Sequence, residues 1–366
     1  MKYINECLDS RCFGLGSYAF ADTQTADGRI FVAVPAEEPY GLYSPDRGET
    51  WEKVPLKGRK KQAEFKQLRD GSFISLEFNN IVYDSLFDLD QEKVPYCLAV
   101  YRADSLEQIM ENKAVTSYAM FETPGLATGF GDSGNGHAGC FVHLIELENG
   151  DLLATMYGQF KDDRTLCPYF DKERGYKFYL YRSWCIVSHD KGKSWEFLST
   201  IADCQTYPIA DVNAEGYCEA DCFEVEPGHI VCVLRTCGHE VVSPLYCAHS
   251  YDSGRTWEAP YEINPWGVLP RLMRMQDGTL VCSSGHKHTF LLFSEDGGRT
   301  WSEPCMLERC DGEWGESCSG YNTIVETRPG ELTVVFDDPK ARLAEGYKPG
   351  NVRQVYVKRY RIAKEA

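Results

Sequence analysis

Short apolar runs separated by glycine turns recur along the whole chain. Six times an apolar run leads into a Gly-bearing turn and a second apolar run follows. The turns are Ala26-Asp27-Gly28, Arg69-Asp70-Gly71, Glu148-Asn149-Gly150, Glu226-Pro227-Gly228, Gln276-Asp277-Gly278 and Arg328-Pro329-Gly330. Runs this short, rich in β-branched and aromatic residues, predict paired strands joined by hairpins. Val231-Cys232-Val233 and Val281-Cys282-Ser283 typify them, and Val352 to Tyr360 reads as a plain alternating strand near the C-terminus. A helical turn is expected over Leu106-Glu107-Gln108-Ile109-Met110.

A second pattern follows four of these hairpins: Ser-x-Asp-x-Gly-x-Thr-Trp. It stands at Ser44 to Trp51, Ser188 to Trp195 (with Ser194 in place of Thr), Ser250 to Trp257 and Ser294 to Trp301. Its chemistry is that of a turn, in which Ser and Asp oxygens accept from amides and Gly supplies a positive φ. The Trp then opens the next strand with a large ring to bury.

This pattern resembles the Asp-box, or BNR, repeat of the sialidase superfamily. The resemblance implies an all-β chain, a six-bladed β-propeller of sialidase type with four-stranded antiparallel blades, in which the boxes are structural and lie away from the catalytic centre. A single domain over residues 1–366 is expected. Its blades are expected at Tyr18 to Pro55, Phe65 to about Val115, Gly139 to Ile201, Glu219 to about Pro260, Leu269 to Pro304 and Tyr321 to Ile362. The second and sixth lack a box. Closure is expected to pair a terminal strand with the first blade, removing exposed edges.

Composition narrows the function. Hydrophobic residues make up 43% and aromatics 13%, enough for a large core and suited to strands. A net charge of −17 repels nucleic acid and anionic membrane, so neither is an expected partner. No apolar run reaches the roughly 18 residues needed for a membrane span, and Met1 to Cys7 lacks a signal-peptide core, so a cytoplasmic location is expected. The 16 Cys lie scattered in strand-like stretches and read as buried free thiols. No CxxC occurs, and Cys218 with Cys222 or Cys305 with Cys310 has no matching His pair, so neither a metal nor a cofactor is expected. Oligomeric state cannot be read from the residues.

In a propeller the chemistry gathers where inner strands begin and end, and long loops there carry function. Two long connections stand out, the Gly-rich Pro124 to Ala138 and the charged Phe160 to Tyr179. By resemblance, Tyr321 at the start of the last blade matches the sialidase tyrosine nucleophile, Glu219 its carboxylate partner and Arg235 one arginine of the substrate clamp. A phenol is a poor nucleophile at neutral pH, so a carboxylate must take its proton as it attacks. Equally, Glu219 and Arg235 read as a structural ion pair and Tyr321 as a packed ring. The match stops at Ser17-Tyr18-Ala19, where the family places a first arginine, and at Ser284-Gly285-His286-Lys287-His288, where it places another. Arg271, His286, Lys287 and His288 are the remaining candidates to hold an acidic substrate. His137, on the Gly-rich loop, is a proton-transfer candidate and Asp132 a candidate acid.

Three functions fit these residues. The first is a sialidase-like glycosidase acting on a small, acidic sialyl or uronyl oligosaccharide. The second is a polysaccharide lyase using His137, Arg235 and Tyr321 on a uronate. The third is a glycan-binding propeller without catalysis.

Overall fold

The computed structural model describes residues 1–56, 64–79, 93–124, 126–127, 143–160, 163–167, 179–210, 214–237, 243–286, 288–309, 320–338 and 353–365. The chain opens with strand β1 (Tyr3–Gly16). Blade one then comprises β2 (Ala21–Gln24), β3 (Ile30–Val34), β4 (Tyr40–Ser44) and β5 (Glu52–Pro55). Blade two comprises β6 (Lys66–Gln67), β7 (Phe73–Asn79), β8 (Lys93–Ala103) and, after helix α1 (Leu106–Met110), β9 (Val115–Pro124). Blade three holds β10 (Leu126–Ala127), β11 (Leu144–Glu146), β12 (Leu152–Phe160), β13 (Arg182–Ser188) and β14 (Glu196–Ala202). Blade four is β15 (Ala214–Glu226), β16 (His229–Cys237), β17 (Leu245–Ser250) and β18 (Tyr261–Asn264). Blade five is β19 (Arg271–Arg274), β20 (Leu280–Ser284), β21 (His288–Ser294) and β22 (Cys305–Arg309). Blade six is β23 (Asn322–Arg328), β24 (Glu331–Asp338) and β25 (Arg353–Lys364), completed by β1. These antiparallel sheets are the blades of a six-bladed β-propeller.

Closure differs from the sequence expectation. The terminal strand joins blade six, not blade one: β1 pairs along β25 from Tyr3 opposite Lys364 to Gly16 opposite Arg353. Blade one already has four strands of its own, and β1 covers the edge of β25 in blade six.

The turns form as their residues dictate. Gly28, Gly71, Gly150, Gly228, Gly278 and Gly330, the six hairpin glycines, all have φ between 75° and 95°. In the first Ser-x-Asp turn, Ser44 Oγ accepts from Gly48 N at 2.8 Å and Asp46 accepts from Thr50 N at 2.8 Å and Thr50 Oγ1 at 2.7 Å. The turns at Ser188, Ser250 and Ser294 repeat these bonds. In three of the four, the Trp Nε1 donates back to the Gly carbonyl. Blade two has α1 in that position, capped by Ser105, whose side chain accepts from Gln108 N.

The chain divides into two compact units, one of Met1–Ser75, Arg102–Val115 and Val268–Ala366, the other of Leu76–Tyr101 and Thr116–Gly267. In the first, Val281, Leu291 and Phe293 of blade five pack with Ile324, Val334 and Phe336 of blade six, and Val335 and Val355 with Val32 and Leu42 of blade one. In the second, Leu153 and Cys185 of blade three pack with Cys222, Ile230 and Cys232 of blade four. Among the described residues, eleven cysteines are free thiols and nine of these are buried. Among them too, no helix is long and apolar enough to cross a membrane, and no group of three or more His, Cys, Asp or Glu is arranged to hold a metal ion.

Candidate functional site

Backbone strain points to the ends of the inner strands. Among the described residues, eight other than Gly have positive φ. Arg47, Lys191 and Ser253 belong to the Ser-x-Asp turns, and Asn112 follows α1. The other four are Tyr18 (51°) just before blade one, Glu219 (38°) in the first strand of blade four, Leu269 (37°) before blade five and His286 (77°) after its second strand. Such conformations cost about 1–3 kcal/mol each and persist where the surroundings impose them, often at functional sites.

In the second unit, Glu219 sits on a bulge. Cys218 pairs with Arg235 and Asp221 with Val233, so three steps along β15 match two along β16. The extra residue re-aims the side chain. Glu219 Oε1 lies 2.6 Å from Arg235 Nη1, with both side chains buried. A second carboxylate, Glu215, is 3.9 Å from Arg235 Nη2 and equally buried. Tyr181, just before β13, is tied to the start of β15: its N donates to Glu215 O at 2.8 Å, and Tyr217 N donates to its carbonyl at 3.0 Å. Between those bonds lies Gly216, at φ 97°, where a Cβ would stand 2.3 Å from Tyr181 N. The Tyr181 ring meets Tyr157 edge-on at 5.1 Å. Burial pushes its phenol well above the usual tyrosine range, and the Glu215 charge pushes it further. It is a hydroxyl at neutral pH.

In the first unit, Arg271 opens β19 with two carboxylates on its guanidinium. Nη2 donates to Asp22 Oδ1 at 2.7 Å, and Nη1 and Nη2 donate to the two oxygens of Glu64 at 2.6 and 2.9 Å. Burial raises the Asp22 carboxyl above its ordinary range, against the opposing pull of Arg271. Tyr321 immediately precedes β23 and is buried, its ring edge-on to Tyr18 at 5.1 Å and tilted on Phe20 at 5.3 Å. Tyr18 N donates to Asp337 Oδ2 at 2.8 Å, and Arg353 Nη1 lies 3.7 Å from the same oxygen. His286 is buried, its backbone against Gly320, where a Cβ would be 2.3 Å from His286 N. His288 opens β21, half-buried and opposite Arg309.

Of the sequence candidates, then, Glu219 and Arg235 come together in the second unit, and Tyr321, Arg271, His286 and His288 lie in the first. His137, Asp132 and Lys287 lie outside the described residues. Sequence reasoning missed Asp22, Glu64, Glu215 and Tyr181. A carboxylate inside the apolar run Phe20-Ala21-Asp22-Thr23, and a second Glu four residues before Glu219 with Gly between, were the available signals.

Residues 132–334 match the family model described as a BNR repeat-like domain. No curated protein shows significant sequence similarity to the chain. Among solved structures, a protein of unknown function from Dyadobacter fermentans is similar with a TM-score of 0.61 at 16% identity, over 97% of this chain and 99% of that one. An α-L-arabinanase of Penicillium chrysogenum complexed with arabinobiose gives 0.57 at 14%, over 95% and 98%. A Hadza microbial sialidase gives 0.56 at 15%, over 94% of this chain but 65% of that longer one.

Proposed function

The chain belongs to the BNR repeat-like domain family, and on that footing we propose that it is a glycoside hydrolase whose chemistry centres on Glu219. The observation that carries this reading is a carboxylate in a left-handed conformation, turned by a bulge and held 2.6 Å from a buried arginine. In the reaction, Glu219 takes the proton of an attacking hydroxyl. Similarity to solved sialidases and an arabinanase supports a carbohydrate as the ligand.

An acidic sugar needs a cation that its own neighbours have not matched. Among the described residues, Arg235 faces Glu215 and Glu219, and Arg271 faces Asp22 and Glu64, so each of these guanidinium groups already has two carboxylates beside it. An uncharged ring, hydrogen-bonded to carboxylates and stacked on aromatic faces, suits this balance better than a sialyl or uronyl one.

Release of 4-nitrophenol from neutral and acidic 4-nitrophenyl glycosides tests the proposal. Cleavage of a neutral glycoside, lost in Glu219→Gln, is the expected result. An unsaturated product absorbing in the ultraviolet would assign elimination instead, and a sugar bound but not consumed would assign binding alone.

A further inference from the structure

A guanidinium taken out of water is ordinarily matched by acceptors. Arg182 follows that rule, its Nε donating to Asp163 Oδ2 at 2.7 Å and its Nη2 to Oδ1 at 2.5 Å. Arg359, whose Nε has no acceptor among the described residues, still donates through Nη1 to Glu49 at 2.8 Å. Arg353, the first residue of β25, differs from both. Its side chain is only 13% exposed, and Nε and Nη1 are buried with no acceptor among the described residues. Asp337 Oδ2 stands 3.7 Å from Nη1, near enough to attract it and too far to accept a hydrogen bond.

Register puts these two groups on one face. Asp337 is opposite Val355, two residues after Arg353, so both side chains lie on the side of blade six whose Val335 and Val355 pack with blade one. Blade one meets them there with Tyr18. With φ at 51°, its N donates to Asp337 Oδ2 at 2.8 Å. Its half-buried ring lies 6.0 Å from the Arg353 guanidinium and edge-on to Tyr321 at 5.1 Å. Unmatched donors, a carboxylate and an aromatic ring thus share the end of one blade.

An oxygen brought by a ligand would satisfy the Arg353 donors. An anion placed there would stand beside the Asp337 carboxylate and be repelled by it. A hydroxyl accepts from the guanidinium and donates to the carboxylate, so one group serves both. We propose that this face of blade six is a binding site for a neutral sugar, with one hydroxyl held between Arg353 and Asp337 and the sugar ring against Tyr18. The proposal rests on the glycosidase reading for the class of its ligand and makes no use of Glu219.

Calorimetric titration of the full chain with L-arabinose, D-galactose and D-glucuronate tests it. Arg353→Lys keeps a cation beside Asp337 while removing the planar set of donors. The variant should melt within about 2 °C of the wild type and bind the neutral sugar about 10-fold or more weakly. Equal affinity in the two proteins overturns the proposal, as do tighter binding of glucuronate than of either neutral sugar and a wild type that binds neither neutral sugar. A variant that melts many degrees lower assigns the guanidinium to the fold and overturns it too. Arg353-dependent binding in a wild type that cleaves no glycoside would remove the glycosidase reading and leave this site standing. Turnover with an unchanged KM in Arg353→Lys would do the reverse.

Discussion

Arg271 shows how a single residue balances burial against charge. Its guanidinium is the counter-ion of Asp22, and removing it leaves a buried carboxylate without that partner, at a cost of about 3 kcal/mol. Asp22 sits above its ordinary value of 3.8 because it is buried. A carboxyl raised in the folded state favours folding below the unfolded value, and this contribution is lost as pH rises through the folded one. Arg271→Met removes the opposing pull, so its stability deficit should be largest at pH 7 and shrink towards pH 4 in thermal unfolding. Asp190 runs the other way. The Ser194 hydroxyl and amide, with Ser188, hold it down at about 2. Its contribution is full above about 3.8 and disappears as pH falls through about 2. Asp190→Asn should therefore melt lower than the wild type at pH 7 and show a flatter decline between pH 4 and pH 2. Of these residues, Arg271 was legible in the sequence because it starts an inner strand. Asp22 and Glu64 were not, because their contacts with it span 249 and 207 residues and no local pattern records them.

Hairpins are the elements that the chain spells most clearly, since each turn is a local solution in Gly, Asp and Ser. Their glycines differ in what surrounds them. Gly150 has φ 89° and nothing within 4 Å of the point where a methyl group would stand, so Gly150→Ala should cost about 1 kcal/mol from backbone strain alone. Gly216 has φ 97° and a backbone nitrogen at 2.3 Å, so Gly216→Ala should cost at least about 3 kcal/mol and break the Tyr181 bridge. Denaturant unfolding of the two variants checks the order, and equal losses would remove the tight junction from the account. The Glu219 bulge lay beyond sequence reading because its signal is a mismatch of register between β15 and β16. Helix α1, by contrast, was legible in Leu106 to Met110.

At the scale of the whole molecule, four boxes and six turns identified a six-bladed propeller, while its closure depended on a strand that no pattern marks. β1 is exposed or half-buried at every residue but Gly16, so neither alternation nor an apolar face reveals it before its partner β25 is seen. Deleting Met1–Gly16 should uncover the β25 edge, lower the melting temperature and promote association in size-exclusion chromatography. An unchanged, monodisperse profile would show that blade six holds without it. The function proposed for this fold rests on one carboxylate, and the direct test is kcat/KM on neutral aryl glycosides for the wild type and Glu219→Gln, with folding checked by circular dichroism. The account predicts turnover by the wild type and a loss of about 100-fold or more in a folded variant. Undiminished turnover in Glu219→Gln, or none in the wild type, would contradict it.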